Sequence, residues 1–128
     1  MGIIAAWDNK SKATLRYIHY GSWHWGDLDR AVEDAQIKLR YTRQTVHIIV
    51  DLRESAALPP EPTLRQKSVL TMGQGKGQLI FVGVGALTWP YYDVMRRIYR
   101  SRRTKDAVHF VETLEDARAL LQTEVHAG

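Results

Sequence analysis

"TVHIIVDL" (residues 45–52) is the stretch on which the fold turns. An almost unbroken apolar run of this length, flanked by polar residues, is what a strand buried on both faces of a parallel sheet looks like. "QLIFVGV" (78–84) repeats the pattern, and "AVHFV" (107–111) gives it a third time. Between and around these runs the periodicity changes. Leu28, Val32, Ala35 and Leu39, with Ala31 beside them, recur at steps of three and four, which predicts the buried face of a helix reaching about Arg43.

The amino-terminal part reads differently. "GIIAAWD" (2–8) and "ATLRYIHY" (13–20) are strand-like, and "NKSK" (9–12) is the polar turn of a hairpin between them. Gly21 ends the second strand. In "YGSWHWGDLDRAVEDA" (20–35), Ser22 or His24 is expected to cap the helix, with Asp27 in its first turn. Trp23 and Trp25 are expected to brace that junction, each with an indole N–H to pair. "RESAALPPEP" (53–62), with Pro59, Pro60 and Pro62, is expected to be a constrained loop. Further helices are predicted from Thr63 to about Met72, from Thr88 onward, and from "TLED", where Thr113 and Asp116 approximate a capping box. The order β-β-α-β-α-β-α-β-α predicts one α/β domain over residues 1–128. Its single sheet of about five strands is mostly parallel, with an antiparallel edge strand.

Bulk properties narrow the function. The chain has 128 residues, no cysteine and a net charge of +4 from 18 Lys and Arg against 14 Asp and Glu. Disulfides and thiolate metal sites are excluded, and cysteine-free composition suits a reducing cytoplasm. The opening "MGIIAAWDNKSK" lacks the basic flank and apolar length of a signal peptide. No apolar run approaches the ~20 residues that span a bilayer. A cytoplasmic location and no membrane span are therefore expected.

Few motifs carry chemistry. "MGQGKGQLIF" (72–81) has phosphate-loop composition but precedes a strand, whereas phosphate-cradling glycines follow a strand and open a helix. "GVGALT" (83–88) stands in the right place, and Gly83, Gly85 and Thr88, with Asp51 at the end of its strand, are the candidate anion- or ligand-binding residues. It lacks the third glycine of a dinucleotide fingerprint. The histidines show no metal-ligand spacing and are expected to be partly buried and hydrogen-bonded. No nucleophile elbow is present, and no catalytic residue, metal or cofactor is assigned. In "MRRIYRSRRTK" (95–105), Arg96, Arg97, Arg100 and Arg103 fall on one helical face. A solvated face accounts for them; an electrostatic footprint for nucleic acid is disfavoured because no nucleic-acid motif accompanies them.

The order of elements, the junction at 20–35, "VHIIVDL" ending in Asp51-Leu52, "GQLIFVGV" and "VHFVETLEDARALL" together resemble the STAS domains. These are found in sulphate-transporter tails and bacterial anti-sigma-factor antagonists. The resemblance implies a non-catalytic regulatory or protein-interaction module of a bacterial cytoplasm. Antagonists of that family carry a phosphorylatable serine soon after the Asp-Leu, at the amino end of the next helix. Here Pro59 and Pro60 stand about there, Ser55 comes earlier and Thr63 later, so these two are the candidate phosphoacceptors and the chain reads as a divergent, stand-alone member. A protein partner is expected at the proline loop and the ends of the second and third helices. A homodimer is compatible with helices lying mainly on one side of the sheet, a second copy covering the other. The alternatives are a domain binding a small anion (nucleotide, phosphorylated metabolite or lipid head group) and nucleic-acid binding through the basic helix.

Overall fold

The computed structural model describes residues 2–56, 77–83 and 108–127. The predicted helices at 63–72 and from Thr88 lie outside them. The described elements are β1 (Gly2–Trp7), β2 (Thr14–Gly21), α1 (Trp25–Arg40), β3 (His47–Ser55), β4 (Leu79–Val82), β5 (Val108–Val111) and α2 (Leu114–Ala127). They build an α/β fold on one five-stranded mixed sheet in the order β1-β2-β3-β4-β5. Only β1–β2 is antiparallel; the other three pairs are parallel.

The apolar runs explain the layering. Successive strand side chains point to opposite faces, so an uninterrupted run needs cover on both. Ile48, Val50 and Leu52 share one core with Leu15, Tyr17, Leu79, Phe81 and the buried side of α1. Phe81 and Phe110 stack there at 5.0 Å. Ile49, Ile80 and Val82 face the other way, against Leu114, Ala117 and Leu121 of α2. Of the described helices, α1 covers one face and α2 part of the other, because β3 and β4 are apolar on both sides. The expectation of helices mainly on one side also depends on the two predicted helices that lie outside the described residues.

Two boundaries differ from expectation. α1 starts after the expected His24 cap but ends at Arg40, short of Arg43, with its last N–H bonds closed at Tyr41 and Thr42 onto Leu39. β3 runs three residues beyond Leu52, to Ser55, so the predicted loop starts later. The pairing with β2 explains why: Ile18 lies opposite Asp51 but Tyr20 opposite Glu54. The extra β3 residue is a bulge, which bends the strand and interrupts its in-out alternation.

The hairpin turn forms as expected. Asn9 holds it, its Oδ1 accepting from the N–H groups of Ala13 (3.0 Å) and Thr14 (3.3 Å). At the start of α2, Thr113 Oγ1 accepts from the Asp116 N–H (3.0 Å), the predicted cap. No described helix is long and apolar enough to cross a membrane.

Candidate functional site

The carboxyl ends of parallel strands are where α/β folds place ligands, and Asp51, Ser55 and Gly83 all lie at that rim. Thr63, Gly85, Thr88, Arg96, Arg97, Arg100 and Arg103 fall outside the described residues.

Asp51 is 3% exposed and sits where the bulge turns β3. Its Oδ1 accepts from the Arg53 backbone N–H (3.1 Å), a side-chain substitute for a ladder bond. The Arg53 guanidinium then folds back in a fork, Nε to Oδ1 and Nη2 to Oδ2, both 2.9 Å. Arg16 Nη1 adds a bond to Oδ2 at 3.3 Å. Burial alone would raise the Asp51 carboxyl, but the Arg53 bonds, with the charges of Arg53 and Arg16, hold it below the usual carboxylate range.

From Arg16 the chain of charges continues. Arg16 Nε lies 3.4 Å from Asp8 Oδ1, and Asp8 takes a second fork from Arg118 of α2, Nη2 to Oδ1 at 2.8 Å and Nε to Oδ2 at 3.1 Å. The series Arg53–Asp51–Arg16–Asp8–Arg118 therefore ties β3, β2, the β1 turn and α2 on one face of the sheet. Sequence reading singled out only Asp51 of these five. Arg16 gave no signal, because it alternates with the buried Leu15 and Tyr17 and reads as an ordinary outward charge of a strand.

On the opposite face, the stretch 20–35 forms the hinge that its composition implies. Gly21 carries a left-handed φ of 64° that a side chain would resist. His24 is the N-cap; its N–H donates to Asp27 Oδ2 (2.8 Å). That bond, with Arg30 beside it, holds the Asp27 carboxyl below its ordinary value. Trp23 and Trp25 are buried and meet edge to face at 5.0 Å, with Trp23 also edge-on to His19. The Trp23 Nε1–H donates to Ser55 Oγ (2.8 Å), and Ser55 in turn donates to the Ala56 carbonyl (2.7 Å).

His19 is fully buried, not partly as expected. Its Nδ1 lies 3.2 Å from the Tyr17 carbonyl. Desolvation drives its pKa down to about 4, against the opposing pull of the Tyr17 and Asp51 carbonyls and the Asp51 charge. Burial likewise pushes the Tyr17 phenol up, Asp34 adding to it.

Gly83 leaves β4 at φ 151°, where an added Cβ would stand 3.3 Å from Leu52 Cβ. Its N–H donates to the Val111 carbonyl (3.0 Å). The glycine admits a close β3–β4 approach, and its backbone donor is already engaged.

Among the described residues the rim is thus a set of closed internal contacts. Asp51 accepts four bonds, filling the roughly four lone-pair sites of a carboxylate. Such a group orients backbone and has little basicity to offer a substrate. No family model, curated protein or solved structure matches the chain.

Proposed function

We propose that the chain is a non-catalytic regulatory or protein-interaction module of STAS-like fold, acting in a bacterial cytoplasm and binding a protein through the proline segment that follows β3. One observation carries this reading. The carboxyl end of β3 is pinned from both faces immediately before that segment, by the Arg53 fork onto Asp51 and by Trp23 on Ser55. The Ala56 N–H is anchored as well, to the Gly21 carbonyl at 2.9 Å. A recognition segment gains affinity when its attachment is rigid, because less ordering entropy is lost on binding. The mixed sheet with one antiparallel edge pair further supports the resemblance.

The test is affinity capture with the intact chain, followed by titration of the purified partner against the chain and against Pro59→Ala/Pro60→Ala. Saturable binding that weakens in the double variant, with its circular dichroism unchanged, supports the proposal. Turnover of a substrate, or a partner whose affinity ignores both prolines, overturns it.

A further inference from the structure

Among the described strands β1 is terminal, and its pairing with β2 fixes the phase of its hydrogen bonds. The Asp8 N–H donates to the Thr14 carbonyl at 2.8 Å, and the β1–β2 register continues that pairing through Ala6↔Arg16, Ile4↔Ile18 and Gly2↔Tyr20. Antiparallel ladders alternate between hydrogen-bonded and non-bonded pairs. The N–H and C=O groups of Gly2, Ile4 and Ala6 therefore turn toward β2. Those of Ile3, Ala5 and Trp7 turn outward, where no described strand pairs with them.

Proteins ordinarily blunt such an edge with lysine, proline or an inward charge. "GIIAAW" has none of these. The nearest charge, Asp8, is drawn away into ion pairs with Arg16 and Arg118. Ile4, on the α2 side of the sheet, is 48% exposed beside this edge.

We infer that β1 pairs antiparallel with β1 of a second copy, about a two-fold axis at Ala5. A second copy suits the edge because the outward groups are symmetric about that residue. With Ala5 opposite Ala5, Ile3 meets Trp7 of the partner on both sides of the axis. Every outward N–H and C=O of the three residues then finds a complement. Sliding the pairing by two residues strands the groups of Ile3 or of Trp7. The axis falls on a small side chain, so nothing bulky collides there, and Ile4 is covered by the partner's Ala6. The two sheets become one continuous ten-stranded sheet. One short strand from each chain is a small interface, so the dimer is concentration-dependent.

Sedimentation equilibrium of the full chain tests this. Ala5→Pro removes an outward N–H without taking a bond from the β1–β2 ladder, and Ile4→Lys, at an exposed position, places a charge beside the axis; each raises the dimer dissociation constant by more than about tenfold without altering far-UV circular dichroism. The register is read separately, since the chain has no cysteine. A mixture of Ile4→Cys and Ala6→Cys chains forms a disulfide-linked dimer under oxidation, faster than either chain alone. A chain that stays monomeric at all accessible concentrations overturns the inference. So does a dimer indifferent to both edge variants, or one in which Ile4→Cys crosslinks best to itself.

Discussion

Trp23 and Ser55 are joined by a 2.8 Å hydrogen bond from the indole Nε1–H to the hydroxyl, linking the entrance of α1 to the last residue of β3. Trp23 is 3% exposed, so its N–H has no ready substitute in water. Ser55→Ala leaves that donor unmet and should cost about 1–3 kcal/mol. Trp23→Phe removes the donor itself. In a double-mutant cycle by urea denaturation the two losses combine to less than their sum; additivity would show the bond to be energetically idle.

The Asp51 network predicts an asymmetry. Asp51 is buried, whereas Arg53 is substantially exposed. Asp51→Ala leaves the part-buried Arg16 with Asp8 alone and the bulge N–H of Arg53 without its acceptor, and should cost about 3 kcal/mol. Arg53→Ala removes a partner that water partly replaces, and should cost about 1 kcal/mol or less. Denaturation midpoints of the two variants check the order.

His19 sets an acid limit. Its pKa is about 4 in the fold, with burial the main cause, against roughly 6.5 when unfolded. The unfolded chain thus binds a proton that the native state refuses, and stability falls as pH drops from about 6.5 toward 4. The full penalty is roughly 3 kcal/mol. Asp51, held below the carboxylate range, gives up its contribution only in stronger acid. Urea titrations between pH 7 and 4.5 should show a loss in the wild type that His19→Phe largely lacks.

Gly77 is fixed by contact. A Cβ there would lie 2.5 Å from His47 Nδ1 and 2.7 Å from the Val46 carbonyl oxygen. Gly77→Ala should therefore destabilise by about 1–3 kcal/mol. Trimming the imidazole does not rescue it, because the backbone oxygen remains. Thermal melts of Gly77→Ala with and without His47→Ala read this directly.

Much of the fold was legible in the residues, for a physical reason. Ile48, Ile49 and Val50 are all fully buried, and only a two-sided strand asks for three such neighbours in a row. The hinge was legible because Gly21, two tryptophans and Asp27 each answer a local steric or dipolar demand. The end of β3 was not, since Arg53-Glu54-Ser55 is polar and the bulge erases its alternation. The charge network was least accessible of all. Asp8 and Arg118 lie 110 residues apart, and nothing local distinguishes either from an ordinary surface charge. Strand ends can be read locally, and that placed Asp51, Ser55 and Gly83 near one rim; the partners that Asp51 takes there come from long-range pairing and cannot be read so.

The order of pairing along the sheet has a kinetic consequence. Leu15 meets Ile48, Ile48 meets Leu79 and Leu79 meets Val108, each closure spanning about thirty residues, whereas the β1–β2 hairpin closes over a few. The amino-terminal hairpin is thus the cheap early step, and the parallel ladder must wait for distant segments to arrive. During that wait an uncharged strand edge stands ready-made on a half-built sheet. Crowded nascent chains are most prone to misassociate at that moment, and dilute, rapid refolding should give the higher yield.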